Sequence, residues 1–301
     1  MYNFDYIKAS SVEDAVSQNA NSSEAKYLAG GMTLIPTLKS RLASSDCLID
    51  LSNLGLSGIN VSGNIITIKS MTTHSDVANS SDVKKLIPGL ANLANHIGDH
   101  MVRNKGTIGG SVANNDPSAC YPSAILALNA SIKTNKREIK ADDFFTGMFE
   151  TSLDESEIIT DISFTAPQKS SYAKFPNPAS RYAMVGVFVA KYDEGVRVAV
   201  TGASQNGVFR SKQIEDALSN DFSITVASDG CLLSFANEVA GQSGNIHLSN
   251  ANGQAITVGG EVAINATALT AIATAGVYQL SYFCIGTGNN EVLVTVSGAL
   301  T

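Results

Sequence analysis

The chain has 301 residues, 44% hydrophobic and 16% charged, enough apolar content for two or three ordinary domains and too much for a disordered polymer. A formal net charge of −7 gives no basic field to neutralise phosphates, which excludes nucleic acid as the expected partner. The four cysteines, Cys47, Cys120, Cys231 and Cys284, lie far apart without Cys-x-x-Cys spacing, so no zinc or iron–sulfur site is expected from this chain alone.

The N-terminal MYNFDYIKAS lacks the basic-then-apolar pattern of a signal peptide. The most apolar long stretch, residues 264–283, is interrupted by Asn265, Gln279 and several Thr and Ser, so no membrane span is expected and the cytoplasm is the expected location. All 20 lysines and arginines lie at or before Lys212, and all 7 prolines at or before Pro178, which puts an expected boundary at residues 215–225.

In chain order, Ser11 with Asp14 three residues later predicts an N-cap and a helix to residue 20, Asp14 standing in for the Glu of a capping box. Residues 25–28 predict a strand that enters the turn Ala29-Gly30-Gly31-Met32-Thr33. A helix over 34–41 follows, led in by Pro36. Strands are expected at 47–50 and, on the alternating isoleucines, at 64–69. Helices are expected over 73–79 and 82–97. In the second, Val83, Leu86, Ile87, Leu90, Leu93, Ala94 and Ile97 fall on one face, and Gly98 ends it. A second glycine turn, Thr107-Ile108-Gly109-Gly110-Ser111, precedes an apolar helix at 123–128. Strands then dominate: a pair over 131–139, and 158–164, 182–191 and 196–203. Beyond residue 221, strands are expected at 246–248, 255–258, 261–264, 277–284 and 291–296.

No Ser/His/Asp or Cys/His constellation is evident, so the chemistry rests on the two glycine turns. Paired glycines permit positive φ and let backbone approach a ligand, with successive N–H groups converging on an anion. Two such turns suit the two phosphates of a dinucleotide, although neither has the G-x-G-x-x-G or Gly-Lys-Ser/Thr spacing and each alone also reads as a plain turn. Arg103 either braces the second turn or reaches a phosphate. His74 either caps and packs or touches the cofactor. His96 and His100 flank a helix end without a third metal ligand. Asp116 before Pro117 reads as a turn residue and Cys120 as a small buried side chain.

The run Tyr27-Leu-Ala-Gly-Gly-Met-Thr-Leu-Ile-Pro36, with Leu38-Lys-Ser-Arg-Leu42 and Leu48-Ile-Asp-Leu51, resembles the FAD-binding medium subunit of molybdenum hydroxylases of the aerobic carbon monoxide dehydrogenase and xanthine dehydrogenase type. The likeness continues through Met71-Thr-Thr-His74 and His96-Ile-Gly-Asp99. It is strongest at Val102-Arg-Asn-Lys-Gly-Thr-Ile-Gly-Gly-Ser111 and Ala113-Asn-Asn-Asp-Pro117, and it reaches Tyr172-Ala-Lys-Phe175 and Ala179-Ser-Arg-Tyr-Ala183. It covers roughly residues 1–220.

The resemblance implies an α+β fold: a two-part FAD-binding domain of the vanillyl-alcohol-oxidase/PCMH type at 1–168, and the start of a smaller α+β C-terminal domain of the carbon monoxide dehydrogenase flavoprotein kind at 169–222. Residues 223–301 form an atypical β-rich tail that resembles nothing in the family. It implies non-covalent FAD held by Leu28, Ala29, Gly30, Gly31, Met32, Thr33 and Leu34 from one side and by Thr107, Ile108, Gly109, Gly110 and Ser111 from the other. Ile159 and Lys174 would lie near the cofactor, and Lys174 would favour a reduced, anionic flavin. Cys120 falls where the family usually has an Asp approaching the flavin end, and a thiol is a weaker acceptor than a carboxylate. The implied partners are an iron–sulfur small subunit and a molybdenum-cofactor large subunit. The implied role is electron transfer from the iron–sulfur clusters through FAD to an external acceptor. A degenerate or chimeric assembly subunit, or a stand-alone FAD oxidoreductase, are the alternatives; the latter would need an acid or base beside the flavin.

Overall fold

The computed structural model describes residues 1–219, 222–225, 231–233, 243–250, 255–258, 262–264, 272, 276–284 and 292–300. It divides into two compact units, Met1–Ser211 and Lys212–Thr301.

The first unit opens with β1 (Asp5–Lys8), α1 (Val12–Ala20), β2 (Ala25–Leu28), α2 (Leu34–Lys39) and β3 (Cys47–Asp50). The three strands form a parallel sheet in the order β1-β3-β2. Because α1 and α2 connect parallel strands, this small sheet has its own core, built on Ala9, Ala15, Cys47, Ile49, Leu51 and Ile158. Ser11 caps α1 as expected, its Oγ accepting from Asp14 N at 3.1 Å. The reciprocal arm of the capping box is displaced: the Asp14 carboxylate accepts from Ser10 N and Oγ instead of the cap residue.

Next come β4 (Ile59–Ser62), β5 (Ile65–Lys69), α3 (His74–Asn79), α4 (Ser81–Leu86) and α5 (Pro88–Asn95). The single helix expected over 82–97 is therefore two. Ile87 lies at φ −137°, ψ 68°, because the ring of Pro88 drives the preceding residue out of the α region and Pro88 then starts a new helix. The apolar stripe survives the break: Val83, Ile87, Leu90, Leu93 and Ala94 are all fully buried.

The unit continues through α6 (His100–Arg103), α7 (Ile108–Asn114), α8 (Tyr121–Ala127), β6 (Ser131–Thr134), β7 (Glu138–Lys140), α9 (Ala141–Phe144), β8 (Phe145–Gly147), β9 (Glu150–Thr151) and β10 (Ile159–Thr165). An antiparallel sheet in the order β4-β5-β10-β6-β7 results. β11 (Lys169–Pro176), β12 (Ala183–Tyr192), β13 (Gly195–Thr201) and β14 (Phe209–Arg210) form a four-stranded antiparallel meander. One large core links this meander, through Tyr172, Phe188, Ala190 and Ala199, to the helices and to Ile66, Ile68, Ile162 and Phe164 of the five-stranded sheet.

The second unit begins with α10 (Lys212–Ser219). It continues with β15 (Phe222–Thr225), β16 (Cys231–Leu233), β17 (Ser243–Asn250), β18 (Ile256–Val258), β19 (Val262–Ile264), β20 (Gly276–Cys284) and β21 (Val292–Leu300). A five-stranded mixed sheet runs β15-β17-β20-β21-β19, so β-strands form where the tail was expected to hold them. Glu261 and Glu291, expected at strand starts, lie outside the described residues. Within the stretch 264–283 the described C-terminal part is strand β20, and among the described residues no helix is long and apolar enough to cross a membrane.

An ion pair between half-exposed Arg137 and buried Glu157 pins the segment before β10. The Glu157 side chain is fully buried and accepts from Arg137 Nε and Nη2, each at 3.0 Å, from Thr134 Oγ1 and from Asp154 N. These donors, Arg137 first, hold its carboxyl down at about 2. The native pair therefore stabilises the fold in full above the ordinary Glu range. That contribution is lost progressively as pH falls from about 4.3 towards 2. Arg137→Met removes the charged donor; we expect it to lower stability at neutral pH and to raise the pH midpoint of acid unfolding, both measurable by circular dichroism. An unchanged acid midpoint would show that the pair contributes nothing.

Candidate cofactor site

A cleft of about 570 Å³ opens between the small parallel sheet and the helical layer of the first unit. That size lies within the roughly 300–1,000 Å³ of ligand sites. The strand β2 delivers the first glycine turn to one wall, and the start of α7 delivers the second to the other.

The two turns touch each other. A Cβ on Gly30 would lie 2.0 Å from Lys105 O and 2.8 Å from the Cα of Gly106, so backbone packs on backbone here and only glycine fits. A Cβ on Gly110 would lie 3.2 Å from the Cβ of Ala29, a second point of approach. Gly31 has φ +72°, the positive value a glycine turn was expected to need. Gly109 and Gly110 differ from that expectation: they sit in the first turn of α7, capped by Thr107. Gly109 is required by contact instead, since its Cβ would come within 2.5 Å of the Ser70 Cβ.

The backbone donors separate the turns more sharply. In the second turn Ile108 N donates to Thr72 O, Gly109 N to Ser70 O, Gly110 N to Thr107 Oγ1 and Ser111 N to Thr107 O. Those N–H groups are occupied, contrary to the expectation that they converge on an anion. In the first turn, among the described residues, no hydrogen bond engages the N–H of Gly30, Gly31, Met32 or Thr33. All four residues line the cleft, so its uncommitted backbone donors belong to the first turn.

Further along the cleft, Lys174 on β11 donates from Nζ to His96 O at 2.9 Å and to Cys120 Sγ at 3.3 Å. Cys120 is buried as expected, yet its sulfur faces the cleft and has a cationic neighbour. Arg103 is a brace: its Nη1 donates to Ile97 O and Gly98 O, closing the end of the preceding helix. His74 packs. Its ring lies 5.3 Å from that of Tyr121 and fills the notch left by Gly106, and burial, with help from Arg103, lowers its pKa to about 4, so it is neutral at physiological pH. It also lines the cleft. His96 Nδ1 pairs with Asn92 O, Asp116 accepts from Ser118 N in a turn, and no group of potential metal ligands occurs among the described residues.

Of the residues singled out from sequence, Ala29, Gly30, Gly31, Met32, Thr33, Leu34, Thr107, Gly109, Gly110, Ser111, Cys120, Ile159 and Lys174 all line this one cleft. Leu28 and Ile108 do not. Leu28 ends β2 behind the turn, its Cδ1 3.1 Å from where a Gly31 Cβ would be, and Ile108 is fully buried in the large core. Sequence reasoning missed Tyr27, Glu157, Arg181 and Tyr182, which also line it. Tyr27, Arg181 and Tyr182 stood inside the quoted motifs; Glu157 carried no signal, because its burial follows from a tertiary pair.

Residues 2–167 match the family model described as the FAD binding domain in molybdopterin dehydrogenase. The chain belongs to this family. Its cofactor is FAD. The medium subunit of nicotine 6-hydroxylase from Paenarthrobacter nicotinovorans is 35% identical over 209 residues, covering 66% of this chain and 74% of that one. The glyceraldehyde dehydrogenase medium chain of Sulfolobus acidocaldarius is 33% identical, covering 70% and 79%. Among solved structures, carbon monoxide dehydrogenase from Hydrogenophaga pseudoflava matches with a TM-score of 0.68 at 33% identity, covering 73% of this chain and 81% of that one. The cleft fits FAD: its size, the unpartnered N–H groups of the first turn and the glycines that let the two turns meet without side chains all suit a pyrophosphate-bearing ligand.

Gly30→Ala forces the two turns apart. We expect at least a hundredfold loss of FAD affinity, measured by flavin retained per chain, together with lower thermal stability. Gly63→Ala is the control, since Gly63 has φ +62° and open space around its Cβ position, and should lose no more than about 1–2 kcal/mol and keep its FAD. Equal FAD retention in both variants would refute the contact argument.

Proposed function

We propose that this chain is the electron-transfer subunit of a molybdenum hydroxylase of the carbon monoxide or xanthine dehydrogenase type. It would take electrons from the iron–sulfur clusters of a small partner subunit and pass them to an external acceptor. A large partner subunit with the molybdenum cofactor would oxidise the substrate, and the complex would work in the cytoplasm. The observation that supports this most directly is the meeting of the two glycine turns across one cleft, in a chain of this family.

Bound FAD supplies a carrier that accepts electron pairs and releases them singly or together. The chain's own residues would bind and orient it. Gly30, Gly31, Met32 and Thr33 would present backbone N–H groups to the pyrophosphate, with Ala29 and Leu34 shaping the turn. Thr107, Gly109, Gly110 and Ser111 would form the opposing wall, with Ile108 anchoring α7 in the core and Leu28 fixing the end of β2. Ile159 would offer an apolar contact. Lys174 and Cys120 would face the flavin end, where a fixed ammonium favours added negative charge. Residues 1–168 would make up the FAD-binding domain, 169–222 the start of the C-terminal domain, and 223–301 a β-rich addition.

Among the described residues lining the cleft, both carboxylates are engaged, Glu157 by Arg137 and Asp116 by the backbone of Ser118, so neither is free as an acid or base for oxidising a substrate directly. That favours the subunit over a stand-alone oxidoreductase. The test is purification of the tagged chain from its native host. We expect co-purified subunits containing iron–sulfur and molybdenum, and flavin absorbance close to one FAD per chain. Flavin without partners would support the stand-alone enzyme, and partners without flavin the assembly role; either would overturn the proposal.

A further inference from the structure

The Lys174 ammonium has company but no counter-charge. Its two hydrogen-bond acceptors are a backbone carbonyl, His96 O, and the Cys120 sulfur. Among the described residues no carboxylate comes within ion-pair distance of its Nζ. The acids that line the same cleft are committed elsewhere: Glu157 to Arg137, and Asp116 to the backbone of Ser118. Register fixes the arrangement. Tyr172 and Lys174 alternate onto the inner face of β11, opposite Phe188 and Gly186 of β12, and Gly186 leaves room there that the Tyr172 hydroxyl fills, 2.7 Å from a would-be Cβ. Cys120 caps α8 and is held by the fully buried turn Tyr121–Ser123, with Ser123 Oγ donating to Cys120 O at 2.8 Å. Both partners of the Lys174–Cys120 contact therefore sit on rigid elements at the cleft wall.

We propose that Cys120 is a positioning residue that holds Lys174 extended in the cleft while leaving its charge uncompensated, and that this raises the reduction potential of the flavin. The inference rests on the reading that FAD occupies this cleft with its isoalloxazine towards Lys174. A carboxylate at position 120 would hold the same ammonium and cancel its field. A thiol holds it by a weaker contact and leaves its charge in place. Reduced flavin bears more negative charge than oxidised flavin, so an uncompensated cation favours the reduced form.

The experiment is spectroelectrochemical titration of the flavin in the purified complex, comparing wild type with Cys120→Asp, Cys120→Ser and Lys174→Gln, with bound FAD per chain measured on each. Cys120→Asp should shift the equilibrium about tenfold towards the oxidised form, a fall of about 30 mV for a two-electron couple. Lys174→Gln should lower the potential in the same direction. Cys120→Ser, which keeps a neutral acceptor, should stay near wild type. An unchanged or higher potential in both Cys120→Asp and Lys174→Gln, with FAD still bound, would overturn the inference. Wild-type complex that binds no FAD at all would instead overturn the proposed function on which the inference rests.

Discussion

The backbone contact between Gly30 and Lys105–Gly106 sets the position of everything else in the cleft. It is made without side chains, so it fixes the spacing between the small parallel sheet and the helical layer to within the tolerance of van der Waals contact. The two walls are built on separate cores, one around Ile49 and Leu51 and the other around Ile108, Tyr121 and Phe164. Two cores packed independently could slide against each other. Backbone-on-backbone contact at Gly30, reinforced where Ala29 meets Gly110, resists that slide because neither side has rotamers with which to accommodate it.

Within this frame the glycines do different jobs, and hydrogen-bond accounting separates them. Gly31 adopts a conformation that side chains disfavour, whereas Gly109 and Gly110 are ordinary helical residues whose lack of Cβ lets Ser70 and Ala29 close in. The N–H groups at the start of α7 are consumed by Thr72, Ser70 and Thr107, which stitch the helix to the end of β5 and to α3. That stitching leaves the first turn as the source of uncommitted donors. The two motifs look alike in sequence, yet one has spent its donors on the fold and the other has not.

What the sequence conveyed followed the physics available to it. The local signals were legible: Ser11 as a cap, β2 and β3 with their stated bounds, and the strands of the tail. The motifs also assembled most of the cleft, because residues that share a backbone turn arrive together. The misread helix over 82–97 shows a local rule overridden by another local rule, since periodicity spoke for one helix and Pro88 for two. Ile108 and Leu28 were placed in the site by adjacency in the motif, but alternation and helical phase turn them away from it. Glu157 was invisible for a different reason: it is held by Arg137 and Thr134, about twenty residues away in sequence.

The walls of the cleft are also where the fold tolerates its unmet polar groups. The Tyr27 hydroxyl, His74 Nδ1, Tyr121 hydroxyl and Tyr172 hydroxyl are buried without a hydrogen-bond partner among the described residues. Tyr27 and His74 line the cleft, the Tyr121 ring lies tilted against His74, and Tyr172 shares the inner face of β11 with Lys174. Each such group costs about 1–3 kcal/mol relative to a satisfied one. A protein whose net stability is about 5–15 kcal/mol does not carry several of them in one place without a shape to maintain. Large rings here give rigid walls with few rotamers. The stability they forgo is returned when a ligand binds the native state alone, by about 2.7 kcal/mol at a hundred times its dissociation constant. The cleft is thus least stable where it is most shaped.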